Sequence, residues 1–216
     1  MLGYPYGKEN LVLNINDVPL PEILKGTSLI DLARIMAIRQ TELEDKYFEI
    51  EKRKNRFIFS LDDRDSQVLI KDFLWRITEE VGEAIEAYRE STTLHSEKVF
   101  EELADGLHFV LGLTLNLCKP DIWDHAFSER DQLYDTPVYH CYDFIQSIGT
   151  LGNTLKLKPW KQTDVATDIT QFDSLLSRMI KDYLLLCWSF GLTHHTLYQY
   201  YMRKSEVNLF RIRSLY

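Results

Sequence analysis

Apolar residues recur at helical spacing along most of the chain. After a capping Thr27 or Ser28, the positions Leu29, Leu32, Ile35, Met36, Leu43, Tyr47 and Ile50 mark a long first helix. The charged run Glu51–Arg56 leads to a break near Asp62–Asp65. A second helix is predicted over Ser66–Arg89, with Phe73, Ile77, Val81, Ile85 and Tyr88 on its inward stripe. Thr92–Ser96 is a short linker, and a third helix runs from Glu97 to Leu117, stopping before Pro120. Residues 120–138 read as a polar connection with short turns, 139–156 as a fourth helix, and Lys156–Gln162 as a loop. A fifth helix over Thr167–Phe190 ends at Gly191, and Thr193 caps a last helix reaching Arg211. Residues 1–26 look irregular, with a short strand possible at Leu11–Ile15, so the expected organisation is that segment plus one helical domain over 27–216. The predicted fold is all-α, a bundle of about six main helices.

Composition agrees. Gly and Pro together are only 15 of 216 residues, too few for a turn-rich all-β chain. The 45% apolar and 27% charged content exclude a disordered tail. The longest apolar stretch, Tyr183–Leu192, is about half the ~20 residues of a membrane span, and Met1–Glu9 has no apolar signal core. Cys118, Cys141 and Cys187 are widely spaced, without CxxC or Cys/His zinc spacing, so a reducing cytoplasm is expected and zinc is not. The net charge of −8 argues against coating a nucleic-acid polymer. It leaves open a phosphorylated small molecule held through divalent cations.

The acids concentrate in two places: Glu79-Glu80-Val81-Gly82-Glu83 on the second helix, and Glu102-Leu103-Ala104-Asp105 on the third. At ~100° per residue, Glu80 and Glu83 lie roughly 60° apart on one face, and so do Glu102 and Asp105. If the two helices pack side by side, four carboxylates converge, and hard oxygen ligands suit Mg²⁺, with Mn²⁺ as a substitute. Glu79, Glu83, Glu86 and Glu90 also form the face opposite the apolar stripe, so a solvated acidic surface competes for the second helix. Glu80 sits at the edge of that stripe. The third helix is apolar on nearly every side after Asp105, which places it in the middle of the bundle and its acids in partial burial, where they need partners. His108 follows Asp105 by three residues, but a di-iron site needs a second Glu-x-x-His unit and none exists. It reads as a polar core histidine.

The acidic pair EExxE and ExxD, separated by residues 84–101, resembles the metal signature of the all-α NTP pyrophosphatases, a superfamily that includes MazG-like enzymes and dimeric dUTPases. Glu102-Leu-Ala-Asp105-Gly-Leu-His108-Phe109-Val110-Leu111 is similar to a helix of the dimeric dUTPase and T-even phage dCTP/dUTP pyrophosphatase branch. Tyr200-Tyr201-Met202-Arg203-Lys204-Ser205-Glu206-Val207-Asn208-Leu209-Phe210-Arg211 is similar to that branch's closing segment. The resemblance implies Mg²⁺ ligands at Glu80, Glu83, Glu102 and Asp105, with Glu79 an additional acid. It implies nucleotide or phosphate contacts at Lys204, Asn208 and Arg211, which share one helical face at i, i+4, i+7. It also implies a homodimer.

The chain departs from the branch at Ser205, in the closing Ile212–Leu215 with only Tyr216 retained, and at Ala33, where the related pattern carries a Gln. Lys158, Trp160 and Lys161 are candidates for the phosphate cations and stacking ring that the branch carries elsewhere. The expected reaction is hydrolysis of a deoxynucleoside triphosphate, dUTP or dCTP first, to the monophosphate and pyrophosphate, with Glu80 as the preferred base and Glu79 as the other candidate catalytic residue. The alternatives are a MazG-like enzyme with broader or purine substrates and a non-catalytic helical regulator.

Overall fold

The computed structural model describes residues 15–50, 58–91, 93, 95–127, 136–157 and 165–214. Among them are seven α-helices and no strand: α1 (Leu29–Ile50), α2 (Arg64–Ser91), α3 (Glu97–Asn116), α4 (Ile122–Ala126), α5 (Pro137–Thr154), α6 (Ile169–Ser189) and α7 (His194–Arg213). Six match the long periodic segments of the sequence. The seventh, α4, lies within the expected polar connection. At five residues it is too short to show a period, yet it buries Trp123, whose indole N–H donates to Thr114 Oγ1 at 2.9 Å. Of the possible strand at 11–15, only Ile15 is described, and it opens a 3-10 turn, Ile15–Asp17.

The helix ends follow local chemistry. Ser28 Oγ accepts from the Asp31 amide at 3.1 Å, and Asp31 Oδ2 accepts from the Ser28 amide at 3.2 Å. Thr193 and Thr196 make the same reciprocal pair at the start of α7, and Asp168 caps α6. Each cap contributes about 1 kcal/mol. Gly191, at φ +96°, closes α6 in the left-handed conformation that a Cβ would disfavour.

α3 is the axis of the bundle, packing against α1, α2, α6 and α7. The short connection after α2 folds α2 and α3 into a hairpin. Leu103, Leu107, Val110, Leu111 and Leu113 are fully buried, each contributing about 1.5–3 kcal/mol by leaving water. Gly106 sits where a Cβ would come 2.5 Å from the Tyr183 hydroxyl, so its bare backbone admits α6. That hydroxyl donates to the Leu103 carbonyl. No helix among the described residues is long and apolar enough to cross a membrane. Cys118 is exposed, while Cys141 and Cys187 are buried and unpaired, with burial raising both thiol pKa values.

Candidate active site

Burial of Ile77, Val81 and Ala84 turns α2 so that Glu80 and Glu83 flank its contact with α3. There they meet Glu102. Carboxylate oxygens of Glu80, Glu83 and Glu102 all lie within 4.8 Å of one another, graded from exposed Glu83 through half-buried Glu80 to buried Glu102. Burial first, and then the negative charges of Asp105, Glu83 and Glu102, push Glu80 up to about 7. Lys98, reaching in from an exposed side chain, sits in ion-pair contact with the buried Glu102 Oε1 and sets a cation against the trio. Three carboxylates crowded this closely, with a single lysine against one of them among the described residues, are a donor set for a hard divalent cation. This is the observation on which Mg²⁺ fits.

Asp105, the fourth expected acid, stands beside the trio but is held by another partner. Lys204 Nζ of α7 lies 2.5 Å from Asp105 Oδ2, with both side chains about 15% exposed. Burial pushes Asp105 up to about 6 against the opposing ammonium. Glu79 turns outward, accepting from Trp75 Nε1 at 2.8 Å and Arg76 at 3.0 Å. One residue is ~100° of helix rotation, enough to take it off the face that Glu80 and Glu83 share.

A cavity of about 530 Å³ opens beside the acids. Glu80 belongs both to the trio and to the cavity wall, which Asp105, Lys204, Asn208 and Arg211 continue. The i, i+4, i+7 face of α7 therefore meets the acidic pair of helices, as its spacing allows. Further along, the wall is α1 and α3: Gln40, Glu44, His108 and Asn116, with the rings of Phe59, Phe73 and Phe109. Phe73 stands edge-on to both other rings, at 5.6 and 6.3 Å between centroids. Asp105 to Asn116 spans ~16 Å of helix. The cavity thus has a charged stretch and an aromatic, hydrogen-bonding stretch.

Several of these residues were not singled out by the sequence. Ala33, where helix one departs from the related pattern, is fully buried, and the glutamine that faces the site is Gln40, two turns further. His108 is indeed buried, but it is also cavity wall, with Nδ1 2.8 Å from Gln40 Oε1 and its ring stacked at 4.2 Å on Tyr201. Burial first, and then the Lys204 charge, push it down to about 3, so the ring is neutral. The recurrence of His108, Gly112 and Asn116 every fourth residue was the available signal for one polar face inside an apolar helix. Lys158, Trp160 and Lys161 lie outside the described residues.

In comparison with known proteins, the family described as dUTPase matches residues 61–216. No curated protein and no solved structure matches the chain.

Proposed function

The chain belongs to the dUTPase family, and from that premise we propose that it hydrolyses a deoxynucleoside triphosphate, dUTP or dCTP, to the monophosphate and pyrophosphate. The carrying observation is the shared position of Glu80. It stands in a trio of carboxylates within 4.8 Å of one another, and on the wall of a cavity whose other side offers Lys204, Asn208 and Arg211. Acids alone would repel a triphosphate, and cations alone would hold it without cleaving it.

Glu80, Glu83 and Glu102 would hold Mg²⁺, with Asp105 joining them when Lys204 moves to the substrate. When bound, the ion supplies neutralisation of phosphate charge and acidification of water. Glu80 is the base, because it stands both in the trio and on the cavity wall where the triphosphate would lie. It accepts a proton as a water oxygen bonds to the α-phosphorus, and the bond to the bridging oxygen breaks to release pyrophosphate. Lys204 and Arg211 offset the charge gathering on that leaving group, and Asn208 donates to it. The aromatic stretch takes the base, since Phe73 and Phe109 offer apolar ring surface to a planar heterocycle.

The resemblance also carries a homodimer. Val138, Tyr142 and Ile145 form an exposed i, i+4, i+7 stripe on α5, at 53%, 65% and 51% exposure, which a second copy would cover.

Pyrophosphate release measured across the four dNTPs and dUTP with Mg²⁺ tests the reaction. Turnover that Glu80→Ala or Asp105→Ala abolishes, with helical content retained, is the expected result. Near-normal hydrolysis in either variant would sink the site assignment. No hydrolysis of any nucleotide by the unaltered chain would leave the non-catalytic regulator.

A further inference from the structure

We propose that Asn116 reads the base, its side-chain amide pairing at both ends with a ring edge that carries a hydrogen-bond donor beside an acceptor. This rests on the nucleotide reading above, and it concerns a residue that belongs to neither the acidic motifs nor the closing segment of the chain.

Asn116 is the last residue of α3, ~16 Å of helix beyond Asp105 and on the wall of the same cavity. Its backbone carbonyl is one of those that an ending helix leaves without an intrahelical donor, and it accepts from the Phe59 amide at 2.7 Å. That bond fixes the Phe59 backbone at the end of α3, where both residues line the cavity. Phe59 stands edge-on to Phe73, and Phe73 to Phe109. The ring-lined stretch therefore ends at a carboxamide.

Gln40 also brings a side-chain amide to this stretch, and the two differ in what holds them. Gln40 is committed at both ends: Nε2 donates to Glu44 Oε1 at 3.2 Å, and Oε1 lies 3.0 Å from the Tyr201 hydroxyl and 2.8 Å from His108 Nδ1. Asn116 has no such network. It is 4% exposed, its Oδ1 is buried without a hydrogen-bond partner, and neither end of its amide is hydrogen-bonded among the described residues. Burial has taken water from this group, and no protein atom replaces it. An unpaired polar group in the wall of an aromatic pocket is where a ligand's own polar edge docks.

The amide dictates the chemistry of that edge. A carboxamide presents an acceptor oxygen and a donor NH₂ in one plane, so its complement is a planar edge with a donor beside an acceptor. Uracil carries one where N3–H adjoins a ring carbonyl, and cytosine where its NH₂ adjoins the bare N3. The two edges run in opposite directions, and an amide held at neither end turns to meet either. Asn116 thus requires the paired edge without choosing between these two bases. A methyl group on uracil N3 meets Oδ1 in place of the hydrogen and leaves the buried acceptor unpaired, which is expected to cost roughly ten-fold or more in affinity.

The test uses the full chain with Mg²⁺ and measures calorimetric binding of three probes: the α,β-imido analogue of dUTP, the same analogue methylated at N3, and inorganic tripolyphosphate. The parent should bind the unmethylated analogue roughly ten-fold or more tightly than the methylated one. Asn116→Leu keeps the branched shape without the amide, and Asn116→Ser removes the amide without adding bulk. Both should lose the discrimination between the two analogues while binding tripolyphosphate as the parent does. In both, kcat/KM for dUTP and for dCTP should fall together, by roughly ten-fold or more. A parent that takes the methylated analogue equally well, or variants that still discriminate, would overturn the assignment. Loss of tripolyphosphate binding in step with the nucleotides would overturn it too, by making Asn116 a residue of the fold alone. Analogue binding with the N3 discrimination but no turnover would remove the catalytic reading and leave this one standing. Neither binding nor turnover of any nucleotide would remove both.

Discussion

Lys204 on α7 holds Asp105 on α3 at 2.5 Å, with both groups largely out of water and the Glu80–Glu83–Glu102 trio alongside. The pair ties the C-terminal helix to the axis of the bundle. It also sets an ammonium that a triphosphate would claim against the fourth acid of the expected metal set.

Lys204→Met should leave Asp105 buried without its counter-charge. Removing one member of such a pair costs about 3 kcal/mol, and Asp105→Asn in the same chain should recover part of the loss. Urea denaturation of the single and double variants measures this. A single variant within 0.5 kcal/mol of the parent would show that the pair does not form in solution.

Mg²⁺ should stabilise the protein through the trio. At a concentration a hundred times its Kd, a ligand of the native state adds about 2.7 kcal/mol. Thermal melts with Mg²⁺ and with EDTA should differ for the parent and coincide for a chain carrying Glu80→Gln and Glu102→Gln together. Chelation should also stop hydrolysis, reversibly. Persistence of the Mg²⁺ shift in the double variant would place the ion elsewhere.

Without metal, pH should act on Glu80 and His108 in opposite senses. Glu80 is raised to about 7 from 4.5, so the stability linked to its protonation is present below 4.5 and lost as pH rises through 7. His108 is lowered to about 3 from 6.5, so its contribution is present above 6.5 and lost as pH falls toward 3. In EDTA, Glu80→Gln should therefore gain more over the parent at pH 8 than at pH 5. The differential is about 1–2 kcal/mol once solvent screening of this half-buried group is allowed for. His108→Gln should gain relative to the parent at pH 4 over pH 7. Denaturant midpoints across this range check both, and parallel pH curves for parent and variant would reject the corresponding assignment.

Gly106→Ala should destabilise despite alanine's better helix propensity, worth about 1 kcal/mol. The added Cβ meets the Tyr183 hydroxyl at 2.5 Å and its ring at 3.3 Å, and this tyrosine is fully buried with its hydroxyl bonded to α3. A net loss of about 1–3 kcal/mol is expected from the overpacking. Restoring the parent's stability by Tyr183→Phe in the same chain would identify the hydroxyl as the obstacle. A melting temperature at or above the parent's for Gly106→Ala alone would contradict the close approach of α6.

If the α5 stripe is covered by a second copy, Tyr142→Glu with Ile145→Glu should convert a dimer to a monomer in light scattering. An unchanged mass in the double variant would place the contact on another face, and a monomeric parent would remove the dimer altogether.

Much of this protein was legible along the chain because it is local. Apolar period and capping residues mark the six long helices, since both act within one or two turns. The four acids and the Lys204, Asn208, Arg211 face follow from spacing on single helices, and the apolar surround of α3 already placed it centrally. Which face meets which was not legible. Spacing alone allowed Glu79 as well as Glu80, and only the packing of Ile77, Val81 and Ala84 turned one outward and the other into the cavity. The ion pair between Asp105 and Lys204, 99 residues apart, depends on where α7 crosses α3. The same holds for Glu44 against Gly112, where a missing side chain on one helix makes room for a charge from another. A helix's own residues set its period and its ends. Rotation about its axis and depth of approach are set by the neighbours it buries, so those were decided by the tertiary structure alone.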